Sequence, residues 1–187
     1  MRIISGTAKG TKLYTLDGLE TRPTLDRVKE SLFNIIYDEI IDSTVLDLFS
    51  GSGAIGLEFA SRGAKKVYLC DKSKDACQII RKNIEKTHLE EKVELLNTDF
   101  IKAIKEVENI KFDIIYIDPP YKTDFIKKSI EGLIKNIAED TLIIAETDEE
   151  EKITKQIDEI KGIEIVDKRK YGRAYILFLK KMNGKEE

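Results

Sequence analysis

The sequence has one histidine, two cysteines and no apolar run of membrane length. A helix that crosses a bilayer needs roughly 20 consecutive, mostly apolar residues, and the first residues also lack the apolar stretch of a secretory signal. We therefore expect a cytoplasmic protein without membrane contact. The single His88 lies in a polar stretch and has no partner histidine, so it is expected at the surface rather than in a catalytic role.

Cysteine is too scarce for a disulfide scaffold. Cys70 and Cys77 are the only two in 187 residues, and their spacing does not match a zinc site. Both are expected to be reduced residues that pack in the interior. A chain of this length, 41% hydrophobic and 36% charged, is long enough for one domain with a substantial core.

The net charge is only −3, which is little for a nucleic-acid enzyme, but the charges are unevenly distributed. Residues 1–16 contain three basic residues and no acidic one, and residues 168–181 contain six basic residues and no acidic one. Residues 139–159 hold nine acidic residues against two lysines. This asymmetry suits attraction to phosphate at one face of the molecule, although an ordinary solvated surface would look the same by charge alone.

From residue 44 onward, short apolar segments alternate with amphipathic ones. Five predicted strands are Thr44–Phe49, Lys66–Cys70, Lys92–Leu96, Phe112–Ile117 and Thr141–Ala145. Helices are predicted between them, as at Lys74–Lys86 and Asp124–Ile137. Because the strands have no regular polar face, they are expected to be buried on both sides, as in a parallel sheet covered by helices.

The two ends of the chain differ from this pattern. Ile163–Asp167 and Tyr171–Leu179 are predicted to form an antiparallel strand pair joined by a charged turn at Lys168–Lys170. Residues 2–16 suggest a β-hairpin with a long loop, and apolar residues at helical spacing follow it. The expected fold is therefore α/β: a mostly parallel seven-stranded sheet ending in an antiparallel pair (44–187), preceded by a hairpin and helix extension (1–43).

A glycine-rich motif follows the first predicted strand. Gly51–Gly56 matches G-x-G-x-x-G, and Asp71 lies twenty residues beyond Gly51, where an acid that binds a ribose belongs. Glycines let the backbone approach a ligand closely, and a helix N-terminus supplies N–H donors. The motif alone fits a nicotinamide-dependent oxidoreductase as well as a methyltransferase.

Four aspartates fall at or near the ends of the first four predicted strands: Asp47, Asp71, Asp99 and Asp118. The carboxyl ends of parallel strands share one edge, where open α/β folds bind ligands. Such a rim disfavours a pyrophosphate and favours S-adenosylmethionine, whose net charge is positive. Asp99 could instead cap the following helix. A Mg²⁺ site would also use converging acids, but no strand has D-x-D spacing, so no metal is expected.

The tetrapeptide Asp118-Pro119-Pro120-Tyr121 is the most specific chemical signal in the chain. Two prolines stiffen the loop and remove two backbone donors, so the carbonyl acceptors are free to face outward. A carboxylate and proline carbonyls together would form an acceptor-only slot for an amino group. Tyr121 offers a flat face on which a base could stack. The alternative is that the whole tetrapeptide is only a rigid turn whose aspartate caps a helix.

These motifs resemble those of a known family. Asp118–Tyr121 resembles the fourth motif of amino-methyltransferases, and Asp47–Gly56 resembles their first motif. The segment Arg22–Asn34 is closely similar to the one that leads into the catalytic domain of the RsmD family, bacterial methyltransferases that modify guanine N2 in 16S ribosomal RNA. The similarity extends from residue 2 to about residue 180, although Asp71 stands where many members have glutamate.

The resemblance implies a Rossmann-like methyltransferase fold that uses S-adenosylmethionine and releases S-adenosylhomocysteine. Gly51 and Gly53 would contact the methionine part of the cofactor, Asp71 its ribose, and Asp99 with Phe100 its adenine. The other expected cofactor-binding residues are Asp47, Phe49, Ser50 and Lys72. The expected catalytic residues are Asp118, Pro119, Pro120 and Tyr121.

The resemblance also implies ribosomal RNA as the partner, within an assembling small subunit. The expected RNA-binding residues are basic: Arg2, Lys9, Lys12, Arg22, Arg27, Lys168, Arg169 and Arg173. Methylation of another nucleic-acid amine such as adenine N6, a nicotinamide-dependent oxidoreductase and a non-catalytic RNA-binding factor stay open as alternatives.

Overall fold

The computed structural model describes residues 1–16, 23–120 and 122–182, without the side chains of residues 23–25. The helices are α1 (Pro23–Ile35), α2 (Ala54–Ser61), α3 (Lys74–Thr87), α4 (Phe100–Glu106), α5 (Phe125–Gly132) and α6 (Glu150–Asp158), with a 3₁₀ turn at Tyr37–Glu39. The strands are β1 (Thr44–Asp47), β2 (Lys66–Cys70), β3 (Val93–Leu96), β4 (Phe112–Ile117), β5 (Ile137–Thr147), β6 (Ile163–Tyr171) and β7 (Ala174–Lys181).

The seven strands form one sheet in the order β3-β2-β1-β4-β5-β7-β6. Strands β1 to β5 pair in parallel, and β7 is antiparallel to both β5 and β6. The predicted α/β fold is therefore confirmed. The strand order reverses between the neighbours β1 and β4, and a ligand crevice is expected where these two strands end.

Both faces of the sheet are covered by helices, as the apolar strands predict. Helices α1, α2 and α3 contribute Leu32, Leu57 and Ile80 to the buried cluster on one face. Helices α4, α5 and α6 cover the other face, where Ile130 and Ile157 are buried. No helix in the described ranges is long and apolar enough to cross a membrane.

The turn between the last two strands is not where the sequence predicts it. Lys168–Lys170 belongs to β6, and Tyr171 pairs with Ala174 across a two-residue turn, Gly172-Arg173. Gly172 has a positive φ of 63°, which a tight hairpin turn requires and glycine adopts readily. The turn predicted at Lys168–Lys170 from its charge is therefore wrong. These residues lie on β6, an edge strand, and edge strands commonly carry exposed charged residues.

The boundary between α5 and β5 also differs from the prediction. The helix ends at Gly132 rather than at Ile137, and Ile137 already pairs with Phe112 of β4. The buried Asn136 side chain donates hydrogen bonds of 2.7 Å to the carbonyl oxygens of both Val107 and Ile110. These contacts hold the chain in a turn, where the apolar periodicity alone would have continued the helix.

The two cysteines and the single histidine lie where the sequence predicts them. Cys70 and Cys77 are both free and buried. His88 is exposed and ends α3 with a left-handed φ of 55°.

The N-terminal segment forms a minimal hairpin that packs on the main sheet. Arg2 and Lys12 form a single antiparallel bridge, and the apolar residues Ile3 and Leu13 lie in the same buried cluster as Val45 of β1. At Gly6, an added Cβ would lie 1.8 Å from the backbone oxygen of Ser61. Only glycine fits this close approach to the end of α2.

The buried Glu58 of α2 fixes this segment to the domain. Its carboxylate accepts hydrogen bonds from the backbone N–H groups of Ile4 (2.8 Å) and Ser5 (3.0 Å). It also forms ion pairs with Lys29 of α1 (3.1 Å) and with Arg62 (2.7 Å). Burial lowers the pKa of Lys29, and the neighbouring carboxylate opposes that shift. Glu58 thus joins the hairpin, α1 and α2, and the sequence pattern does not single it out.

Candidate active site

A cleft of about 640 Å³ opens at the carboxyl ends of β1, β2 and β4, where the strand order reverses. Its volume falls within the roughly 300–1,000 Å³ typical of small-molecule sites. The predicted site residues that line it are Phe49, Gly51, Asp71, Lys72, Asp99, Phe100, Asp118, Pro119 and Pro120. The structure therefore brings residues from four separate loops to one cleft.

The glycine loop is held by Asp71. Gly51 and Gly53 have positive φ values of 55° and 79°. The Asp71 carboxylate accepts a hydrogen bond of 2.9 Å from the Gly51 N–H and one of 2.8 Å from the Ser73 N–H. Asp71 therefore fixes the loop that follows β1 and lines the cleft at the same time.

Ser50 and Gly53 do not line the cleft. The Ser50 hydroxyl donates to the carbonyl oxygen of Asp47 (2.8 Å) and accepts from the Cys70 N–H (3.0 Å), so it ties the end of β1 to the end of β2. Gly53 precedes α2 as its N-cap. Both residues shape the loop around the cleft from behind.

Asp47 lies beneath the loop and not on the cleft wall. It is 1% exposed, one of its oxygens accepts a 3.2 Å hydrogen bond from the Gly56 N–H, and the other has no hydrogen-bond partner among the described residues. Burial raises the pKa of Asp47 to about 7, a shift that the Gly56 hydrogen bond opposes. Asp47 therefore keeps its proton to a much higher pH than an exposed aspartate does.

Replacing Asp47 with asparagine should change how stability depends on pH. In the unfolded chain Asp47 ionises near its ordinary pKa of 3.8, whereas in the fold it ionises near 7. The variant should match the parent below pH 4 and become more stable than it as the pH rises to 7 and above. Each unit of pKa displacement corresponds to about 1.4 kcal/mol, so the difference should reach several kcal/mol. Urea unfolding of both cofactor-free proteins from pH 4 to pH 8 would measure it; a constant difference would contradict the expectation.

Asp99 caps a helix, as the alternative interpretation proposed. Its carboxylate accepts hydrogen bonds from the N–H groups of Ile101 (3.1 Å) and Lys102 (3.2 Å) at the start of α4. It nevertheless lines the cleft.

Within the described residues, no group of three or more histidine, cysteine or acidic side chains is arranged to hold a metal ion.

Three aromatic rings form one wall of the cleft. Phe100 lies 5.3 Å from Phe49 and 4.8 Å from Phe125 between ring centroids, and Phe49 and Phe125 stack at 6.1 Å. The sequence pattern identified Phe49 and Phe100 but missed Phe125, which begins α5 just after the proline loop. This wall suits the flat face of an aromatic ring such as an adenine.

Asp118 enters the cleft at the end of β4, followed by the buried Pro119 and the exposed Pro120. Burial raises the pKa of Asp118 well above its usual range, and the carboxylates of Glu146 and Asp47 raise it further. The Pro120 carbonyl accepts a 2.9 Å hydrogen bond from the Thr123 hydroxyl, so it is not wholly free as predicted. Tyr121 lies outside the described residues.

Asn83 of α3 links the N-terminal segment to the glycine loop. This fully buried side chain accepts a 2.7 Å hydrogen bond from the Tyr14 N–H and donates to the Tyr14 carbonyl (3.0 Å) and the Ser52 carbonyl (2.9 Å). The residue did not stand out in the sequence because a polar residue on an amphipathic helix is ordinarily solvated. Its amide thus holds the glycine loop against the N-terminal segment.

The basic candidates occupy two surfaces that meet on α1. Arg2, Lys9 and Lys12 are exposed on the N-terminal hairpin, and the backbone oxygen of Arg2 accepts a hydrogen bond from Lys29 of α1. Also on α1, Ser31 forms a 2.7 Å hydrogen bond with Tyr171 beside the β6–β7 turn. The helix therefore touches both basic segments.

Two of the basic candidates are neutralised locally. Lys168 pairs with Glu150 of α6, and Arg169 pairs with Asp167 at 2.8 Å. Arg27 and Arg173 are exposed and form no ion pair within the described part of the chain. Arg22 lies outside the described residues.

The sheet order, the glycine loop and the carboxylate-rich cleft define the Rossmann-like fold of S-adenosylmethionine-dependent methyltransferases. The solved structure of yhhF from Escherichia coli superposes with a TM-score of 0.80 at 26% identity, covering 98% of this chain and 99% of that one. A structure named SMU.776, complexed with S-adenosylhomocysteine, has the same fold (TM-score 0.66, 22% identity, 82% of this chain and 48% of that chain).

A family model described as "Conserved hypothetical protein 95" matches residues 1–180. The ribosomal RNA small subunit methyltransferase D of Haemophilus influenzae is 35% identical over 157 residues, or 82% of this chain and 81% of that protein. The chain belongs to the family that this model describes, which is the RsmD family. The resemblance predicted from the sequence is therefore confirmed.

Proposed function

We propose that the protein transfers a methyl group from S-adenosylmethionine to the exocyclic N2 amine of a guanine in 16S ribosomal RNA. The observation that carries this proposal is the meeting of Asp118, Pro119 and Pro120 with Asp71 and Asp99 in one cleft. The H. influenzae relative is a ribosomal RNA small subunit methyltransferase by name, which supports the RNA substrate. The reaction would take place in the cytoplasm, on an assembling small subunit.

The cofactor fits the residues on the cleft wall. Asp71 would accept hydrogen bonds from the ribose hydroxyls, since it lines the cleft and each of its oxygens can accept a further hydrogen bond beside the backbone N–H that it already holds. The Phe49, Phe100 and Phe125 rings would hold the adenine. Carboxylates around the cleft favour a cationic ligand over a pyrophosphate, which supports a methyl donor rather than a nicotinamide dinucleotide. When bound, the cofactor supplies a methyl group on a positively charged sulfur.

Asp118 and the proline loop would receive the target amine. The carboxylate and the Pro119 carbonyl would each accept one N–H of the amine, which orients the nitrogen lone pair towards the cofactor side of the cleft. Positioning of this kind can supply several kcal/mol of the barrier. The methyl carbon would bond to nitrogen as its bond to sulfur breaks, with the electron pair staying on sulfur. Asp118 would stabilise the positive charge on nitrogen and then accept a proton.

The RNA would bind across α1 and the two basic segments beside it. The best-placed candidates are exposed and lack an acidic partner among the described residues: Arg2, Lys9, Lys12, Arg27 and Arg173. Lys168 and Arg169 would have to exchange their acidic partners for phosphate. Binding through such contacts should weaken with rising salt concentration. A base must leave its stack to enter the cleft, so the target guanine is unpaired or flipped.

The test is mass mapping of methylated nucleotides in small-subunit RNA after incubation with the protein and isotope-labelled S-adenosylmethionine. Naked 16S RNA and partly assembled subunits are used as parallel substrates. One methyl group on a guanine N2 is the expected result. Label on adenine N6 would refute the guanine assignment, and calorimetric binding of a nicotinamide dinucleotide without methyl transfer would overturn the reaction class.

A further inference from the structure

A second carboxylate lies beside Asp118, behind the proline loop. Strands β4 and β5 pair in parallel with Ile117 next to Ala145, so the residues that follow them, Asp118 and Glu146, leave the sheet side by side. Side chains alternate between the two faces of a strand, which places Tyr116 and Asp118 on the same face. Glu146 is on that face too, because it contacts the Tyr116 hydroxyl.

Glu146 is held in a defined position. The hydroxyl of Tyr116, a residue only 3% exposed, donates a 2.8 Å hydrogen bond to its carboxylate. Glu146 borders a small cavity with Pro119 and Pro120, on the side of the proline loop away from the large cleft. It does not line the large cleft. Asp118 follows the neighbouring strand and does line the cleft, so it is the group through which Glu146 can act on the reaction.

Two adjacent, partly dehydrated carboxylates cannot both ionise readily and tend to share one proton. Burial raises the pKa of Glu146, and its hydrogen bond from Tyr116 opposes that rise. Among the residues that the structure describes, no comparable donor serves Asp118, whose pKa is raised by burial and then by Glu146. When the pair holds one proton, Tyr116 therefore favours the negative charge on Glu146 and the proton on Asp118. This is the state that the pair reaches after Asp118 has accepted the proton of the amine.

We propose that Glu146 is a positioning residue for the reaction: its charge, fixed by the Tyr116 hydroxyl, makes Asp118 a stronger acceptor for the proton that leaves the methylated amine. This inference rests on the proposed function. In the step concerned, the N–H bond of the methylated, positively charged nitrogen breaks and its electron pair returns to nitrogen. The proton bonds to an oxygen of the Asp118 carboxylate and passes from there to solvent.

Other charged groups near the pair have weaker influence. Asp47 lies on the β1 side of Asp118 and acts in the same direction as Glu146. Lys122 and Glu149 border the small cavity together with Glu146. Lys122 is exposed, and Glu149 pairs with Lys152 at 2.9 Å, so water and an opposite charge screen them.

Glu146→Gln tests the proposal because it keeps an oxygen that accepts from Tyr116 and removes only the charge. We expect the acidic limb of the pH–kcat profile to move down by about one pH unit, and kcat on the plateau above this limb to fall roughly threefold to tenfold, with KM for RNA unchanged. Tyr116→Phe should shift the limb in the same direction by less. Glu149→Gln, a matched loss of charge at the same cavity, should leave the limb in place.

An independent readout is the carboxyl-carbon NMR titration of Asp118 in cofactor-free protein, whose midpoint should fall in Glu146→Gln. A loss of activity at every pH with an unmoved limb and an unmoved midpoint would overturn the inference and make Glu146 purely structural. If the parent protein fails to methylate RNA, the proposed function fails. The NMR midpoint then still decides whether Glu146 controls the proton on Asp118.

Discussion

Replacing Asp118 with alanine is expected to abolish methyl transfer while leaving cofactor binding nearly intact. The carboxylate is the charged acceptor at the end of β4 in the cleft, and no other acid follows that strand before the proline loop. Loss of the proposed amine contact and of the proposed proton acceptor should lower kcat by roughly 10²–10⁴-fold. Single-turnover transfer of a labelled methyl group to small-subunit RNA measures the effect.

The control for this variant is the dissociation constant of the cofactor. Asp71, the glycine loop and the aromatic wall are unchanged in Asp118→Ala, so calorimetry should give an affinity within about tenfold of the parent, or 1.4 kcal/mol. Asp118→Asn, which keeps an acceptor but no charge, should retain part of the activity. Undiminished methylation by the alanine variant would refute the role assigned to Asp118.

Replacing Glu58 with alanine is expected to lower the free energy of unfolding by several times as much as the loss of an exposed ion pair does. The substitution leaves the buried ammonium of Lys29 without its counter-charge and the N–H groups of Ile4 and Ser5 without their acceptor. Breaking a buried ion pair by removing one partner typically costs 3–5 kcal/mol, roughly. Urea unfolding should therefore show a large drop in the free energy of unfolding, with the N-terminal segment released from α2.

Glu94→Ala provides the matched comparison. Glu94 pairs with Lys66 at 3.6 Å, but its side chain is 50% exposed, so this ion pair is largely screened by water. Its loss should cost below about 1 kcal/mol. Equal losses for the two variants would mean that the Glu58 contacts do not hold the N-terminal segment in place. Hydrogen exchange at the Ile4 and Ser5 amides distinguishes local release from global unfolding.

The sheet could be predicted because its strands are buried on both faces. Val45 and Leu46 of β1 face different buried clusters, and so do Ile114 and Ile115 of β4. Both strands therefore have consecutive apolar residues in the sequence. The errors occurred where local signals compete with tertiary contacts. Lys168–Lys170 looked like a turn although it pairs along an edge, and the end of α5 depends on the Asn136 hydrogen bonds to a distant loop.

The candidate site was predictable to the extent that strand ends converge. Asp71 and Asp118 follow β2 and β4, and topology alone brings them to one cleft. The direction in which each side chain points could not be predicted from the sequence. Asp47 also ends a strand, but it lies under the glycine loop. Glu146 was hidden in an acidic segment that looked like solvated surface, and Asn83 in an amphipathic helix, because their partners are distant in sequence.

The position of β7 between β5 and β6 has a consequence for how the chain folds during synthesis. The ribosome releases β6 first, yet β6 has no strand to pair with in the sheet until residues 174–181 emerge. Until then the outer side of β5 is an unprotected edge with unpaired N–H and C=O groups, which can recruit a strand from another nascent chain. Arrival of β7 satisfies β5 and β6 at once, so the hazard ends in one late step.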